Sequence, residues 1–169
     1  DEEIPALPTG FVVDIQHLTG ADGFFWSYLA IFRKTSLTTQ NDIDNDISMT
    51  LSTSIPKNAN LSFIEIQGGV SLEGTAIAGV DDNSKVVDIP ASVVSPGIGR
   101  RLIVSAIGMR QSGGSIQTLE PNLNGFTQHA NMSPNAIGGK EVGMLVATRL
   151  LANHNGSQIS GPSAEISFN

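Results

Sequence analysis

Phe24-Phe25-Trp26-Ser27-Tyr28-Leu29-Ala30-Ile31-Phe32-Arg33-Lys34 is the stretch that decides the fold class. In an extended chain successive side chains point to opposite faces. Trp26, Tyr28, Ala30 and Phe32 then share one face, and Phe25, Leu29 and Ile31 the other. Both faces are apolar, which predicts a strand in the interior of a sheet. Further along, Ile47, Met49 and Leu51 alternate with Ser48, Thr50 and Ser52, the pattern of a half-exposed strand.

Outward from these two, extended segments are predicted over residues 11–18, 61–67, 86–89, 101–109, 141–151 and 164–168, besides 24–34 and 47–53. Clusters such as Thr19-Gly20-Ala21-Asp22-Gly23 and Asn153-His154-Asn155-Gly156-Ser157 separate them. Gly and Asn tolerate positive φ, and short polar side chains bond to local backbone, so these are turns. Few stretches combine a 3.6-residue period with Ala, Glu, Lys or Leu enrichment, so helices are not expected. Residues 140–151 would also suit a helix, but no neighbouring element supplies a βαβ context and a strand is expected there. About eight strands without helical crossovers predict an all-β fold, an antiparallel β-sandwich of jelly-roll or immunoglobulin-like kind. Residues 1–10 are expected to form an extended arm and 11–169 a single sandwich domain. The path from residues 28–33 through an Asn-rich loop to 46–52 is echoed by 144–149 leading to 164–167, which suggests two similar hairpins in opposed sheets.

The chain has 169 residues, 15% of them charged, a formal net charge of -7 and no cysteine. That length can bury a core without disulfides. Lack of cysteine excludes thiolate metal sites and cysteine nucleophiles. Nucleic acid is not an expected partner, because phosphate binding needs clustered basic residues, and the only adjacent pairs are Arg33-Lys34 and Arg100-Arg101. Both lie beside apolar runs and are expected to be solvating charges at strand ends. The longest apolar segment, residues 143–152, is interrupted by Thr148 and Arg149 and falls short of the roughly 18 residues of a membrane span. The sequence starts at Asp1 without a methionine, and no charged-apolar-small leader pattern is visible.

Asp42, Asp44 and Asp46 place three carboxylates at alternate positions of a polar loop, a weak cradle for calcium. The loop lacks the Gly and the distal Glu of an EF-hand, and an ordinary polar loop is the favoured reading. Asp81, Asp82 and Asn83 form a second acidic turn that could contact a glycan or a partner. His17, His129 and His154 are far apart, without HxH or HxxxH spacing, so no transition-metal site is expected, and each is expected at a surface or in a loop. No serine sits in GxSxG, and the glycine-rich pieces at 97–99 and 112–115 lack the Lys and helix of a phosphate loop. Trp26 and Tyr28 could stack on sugars, but core packing is the better use of aromatics within an interior strand. Asn60, Asn131 and Asn155 begin glycosylation sequons, a pattern that arises easily by chance in an Asn- and Ser-rich chain.

Taken in order, the strand with Trp26 to Arg33, Ile47 to Ser52, Leu61 to Gly68 leading to Ala78-Gly79-Val80-Asp81, Ile89-Pro90-Ala91 through Ser95-Pro96-Gly97, Arg101 to Gly108, the Gly125-Phe126-Thr127 turn and Val146-Ala147-Thr148-Arg149 resemble β-sandwich modules of bacteriophage virion proteins. Such modules occur in tail-fibre, tail-associated and head-decoration proteins. The likeness covers most of the chain from about Thr9 onward. It implies a non-enzymatic capsid-decoration or appendage domain, homo-oligomeric, bound to other virion subunits and displayed on the virion surface or otherwise extracellular. In such modules a further apolar strand is expected before Gly10-Phe11 and another after 164–168. The chain supplies neither, so either the ends are missing from the sequence given or exposed sheet edges are completed by a neighbouring chain. Ile4, Pro5, Leu7 and Pro8 suit an assembly arm, because their prolines favour extended chain. Two other classes compete with this reading: a glycan-binding adhesin of a tail fibre, which would take a host surface glycan, and a subunit of a bacterial surface filament. No cofactor is expected beyond the weak calcium candidate.

Overall fold

The structure, a computed structural model, describes residues 10–19, 27–34, 62, 64, 66, 71–78, 86–112, 116–132 and 140–168. The strands of this set fall into two compact units, residues 1–57 and 58–169. All regular elements among the described residues are strands, paired antiparallel. The expected all-β sandwich is therefore the architecture, and residues 140–151 are strand rather than helix.

In the first unit, β1 (Phe11–Thr19) pairs with β2 (Ser27–Lys34). The register slips between Val13 and Ile15, leaving Asp14 without a residue opposite it. A bulge of this kind re-aims a side chain, and here the Asp14 carboxylate accepts a hydrogen bond from Arg33 Nε at 2.7 Å. On the opposite face Phe11 and Phe32 pack edge to face, ring centres 5.6 Å apart. Arg33 is thus ion-paired, where a purely solvating charge was expected.

The second unit is built from three long passages of chain, each of which contributes to both sheets. The first passage carries β3 (Val86–Ile89), β4 (Val93–Val94) and β5 (Gly99–Ser112). The second carries β6 (Ile116–Asn122) and β7 (Thr127–Met132), and the third β8 (Lys140–His154), β9 (Ile159–Ser160) and β10 (Ser163–Phe168). One sheet runs in the order β3-β10-β6, the other β5-β8-β7, and the short pair β4-β9 bridges the corner between them. From Val86 opposite Ser167 to Gly99 opposite His154, the first and third passages keep one constant pairing offset. Across the corner the backbone N–H of Gly161 donates to the Ser92 carbonyl at 2.8 Å, continuing that ladder. Pro90, Pro96 and Pro162 sit in the bends, where missing donors cost no sheet bond.

Ile107 and Met109 of β5, Leu145 and Ala147 of β8, Ala164 and Ile166 of β10, and Phe126 form one core between the sheets. Central β8 explains its own sequence. Gly143, Met144, Leu145, Val146 and Ala147 are all buried, as expected of a strand covered on both faces, which reads as a continuous apolar run. Gly143 is required by that crowding, since a Cβ there would lie 2.8 Å from Met109 Cγ and Sδ.

Three expectations need correction. The strand at 164–168 is not an open edge: β10 lies between β3 and β6. Residues 144–149 and 164–167 do not form a hairpin, because β8 and β10 belong to different sheets. Strands β6 and β7 were absent from the sequence reading, β6 because Glu120 and Pro121 break its apolar pattern and β7 because Thr127-Gln128-His129-Ala130-Asn131 offers no large apolar residue. The strand expected over 47–53 and the segment 24–26 lie outside the described residues. Of 61–67 only Ser62, Ile64 and Ile66 are described, and none of them is in a strand.

Candidate functional site

Three surface features of the second unit bring chemistry together. The first lies on the outer face of β3-β10-β6. β3 and β10 alternate core and solvent residues: Val87, Ile89, Ala164 and Ile166 face inward, and Asp88 and Glu165 face out. The register sets Glu165 directly opposite Asp88 on one side and Glu120 on the other. Three exposed carboxylates therefore cross the sheet in a row beside an open depression of about 530 Å³, lined also by Pro121, Asn122 and Ser163. Like charges directly opposite each other oppose pairing, by about 0.2–1 kcal/mol for each pair. Glu165→Lys, which turns both repulsions into attractions, is expected to raise the melting temperature by about 3 °C, roughly 1 kcal/mol at this chain length. An unchanged or lower midpoint in a circular dichroism melt would show that the row is not repulsive.

The second feature is the corner between β4 and β5. Arg101 Nε and the backbone N–H of Gly97 donate to the Glu73 carboxylate at 2.5 and 3.2 Å. Those two hydrogen bonds, that from Arg101 first, hold the Glu73 carboxyl below its ordinary pKa of 4.5. Arg101, like Arg33, is thus ion-paired, where a solvating charge was expected.

The third is a strip on the outer face of β5-β8, where the register aligns Leu102 with Leu150, Val104 with Thr148 and Ala106 with Val146. The Leu pair is the open end of the strip, 38% and 57% exposed. His129 lies on the neighbouring strand β7, where its Nε2 and Thr148 Oγ1 are hydrogen-bonded at 2.6 Å.

Asp42, Asp44 and Asp46, the turn of Asp81, Asp82 and Asn83, and the arm residues Ile4, Pro5, Leu7 and Pro8 lie outside the described residues. Among the described residues no three His, Asp or Glu side chains converge closely enough to hold a metal ion. No described helix is long and apolar enough to cross a membrane. His17 is half-buried on β1 and His129 is exposed. His154 departs from its expected surface position. It is 8% exposed at the end of β8, and its Nε2–H donates to the Ser157 carbonyl at 2.9 Å, closing the turn. Asn155 serves the same turn, its Oδ1 accepting from the Ser157 N–H at 3.0 Å.

Sequence reasoning missed Glu73, Arg101 and the carboxylate row. The outward position of Asp88 and Glu165 is legible in Val87-Asp88-Ile89 and Ala164-Glu165-Ile166, but their alignment depends on register between distant strands. Comparison with protein-family models, curated proteins and solved structures finds no match to the chain.

Proposed function

We propose that the chain is a non-enzymatic virion structural protein, a capsid-decoration or appendage domain of bacteriophage type, homo-oligomeric and displayed on the particle surface, where it binds neighbouring virion subunits. The observation that carries the reading is the exposed Leu102–Leu150 pair at the end of the apolar strip on β5-β8. Two exposed apolar side chains set side by side offer area that a partner can bury, and cross-strand leucines on a sheet present it with little ordering cost on binding. Wild-type protein is expected to form a symmetric multimer by light scattering and to be found on capsids or tails by electron microscopy of its source material. Leu150→Asp is expected to dissociate the multimer while leaving the melting temperature nearly unchanged, because the position is exposed. A wild-type chain that is strictly monomeric and binds no particle would sink the proposal.

A second reading is a glycan-binding adhesin domain, favoured by the depression that joins Asp88, Glu120 and Glu165 to Asn122 and Ser163. Carboxylates and amides are suitable hydrogen-bond partners for sugar hydroxyls. Saturable binding on a glycan array that is lost with Asn122→Ala would favour this reading over assembly.

A further inference from the structure

Residues 71–78 form no regular element and have no strand partner among the described residues. Leu72 and Ile77, on either side of Glu73, are about half exposed, 48% and 49%. Glu73 makes the anchoring contact of this segment, and every donor to its carboxylate comes from the corner that leads into β5. That corner is a receptor complete in itself. Arg101 Nη1 donates to the Arg100 carbonyl at 2.9 Å, a second contact on the guanidinium besides Glu73. At Gly97 a Cβ would sit 3.2 and 3.3 Å from the Glu73 carboxylate oxygens and 2.9 Å from Arg101 Nη2. The niche therefore exists because residue 97 has no side chain.

We propose that residues 71–78 form an exchangeable strap, and that in the assembled protein the Gly97–Arg101 niche of one copy takes Glu73 of a second copy. The proposal rests on the multimeric reading above. A contact made within one chain by a segment that has no ladder partner among the described residues can be made between two copies with the same atoms, the general route of element exchange. Exchange also offers Leu72 and Ile77 a neighbouring surface to cover them, which burial of apolar area favours. The charged group that the corner presents to Glu73 is Arg101, and the Gly97 N–H adds a second donor, so the niche selects the ionised carboxylate. With its carboxyl held below the ordinary value, Glu73 contributes fully above the usual carboxylate range. Its contribution is lost as pH falls through that depressed value.

The test uses the full chain with Arg101→Lys, which keeps the charge and supplies an amine. Equal amounts of ordinary and 15N-labelled protein are mixed, incubated and treated with a zero-length carbodiimide that joins the Glu73 carboxylate to Lys at 101, and the joined peptides are weighed. Pairs of mixed label, in the proportion expected of two interchangeable copies, are the expected result. Pairs of single label only, in a sample that light scattering shows to be multimeric, overturn the strap and leave the assembly reading standing. A monomeric sample overturns both. Independently, Glu73→Gln in the wild-type background is expected to weaken self-association by about fivefold, and unchanged association also overturns the strap.

Discussion

Leu145→Ala is expected to lower the melting temperature by about 10 °C, a loss of about 3–4 kcal/mol. Leu145 is 0% exposed and lies near the middle of β8, a strand with partners on both sides. Ile107 stands opposite it on β5, and Ala164, Ile166 and Phe126 belong to the same core cluster. Those neighbours are held by two hydrogen-bonded sheets and can relax little into the space left by the missing atoms. The loss is therefore a transfer term with a cavity term added to it. Leu145→Met, which conserves volume, is expected to cost less than about 1.5 kcal/mol. A circular dichroism melt of the two variants checks both statements, and a fall of under 3 °C for the alanine variant would contradict the placement of this residue.

The second large effect is at Gly125, where Gly125→Val is expected to cost about 2–3 kcal/mol. Asn124 and Gly125 have φ of 46° and 79°, and the Phe126 N–H donates to the Leu123 carbonyl at 2.8 Å. This is the Asn-Gly turn with two positive φ values that usually closes a hairpin. Here it joins β6 in one sheet to β7 in the other, sending Leu123 and Phe126 into the core between them. Neighbouring strands hold it in place. Asn124 Nδ2 donates to the Ser160 carbonyl at 2.9 Å, and Arg149 Nη1 to the Asn124 carbonyl at 3.2 Å. A Cβ at 125 would meet Arg149 at an ordinary 3.6 Å. The expected loss therefore comes from the backbone conformation, which a β-branched residue tolerates least. Chemical denaturation measures it, and Gly125→Asn, which accepts positive φ better, is expected to recover most of the loss.

Those two positions mark how far the sequence was legible. The apolar run through Met144, Leu145, Val146 and Ala147 suited a helix as well as a strand and was read as strand only for want of a βαβ context, whereas the extended segment at 86–89 matches β3. Class and core followed from local pattern because side-chain alternation is a property of single strands. Pairing is a relation between strands, and it was not legible. Nothing in Ala164-Glu165-Ile166 tells that it stands between Asp88 and Glu120, and the likeness between residues 28–33 and 144–149 suggested a hairpin that the topology does not contain. The anchor at Glu73 escaped for the same reason, since its partner Arg101 is 28 residues away and neither residue belongs to a motif.

The unbroken offset between residues 86–99 and 154–167 constrains how such a chain can change length. Most surface loops absorb an insertion singly, but the bends at 95–98 and 155–158 are two limbs of one ladder. One residue added to a single limb must be extruded as a bulge, or it slides one sheet by a position and turns its core side chains to solvent. One residue added to each limb lengthens the corner and leaves both sheets in frame. Viable length variants of this region are therefore expected to come as matched pairs of insertions, a coupled grammar written across some sixty residues of intervening sequence.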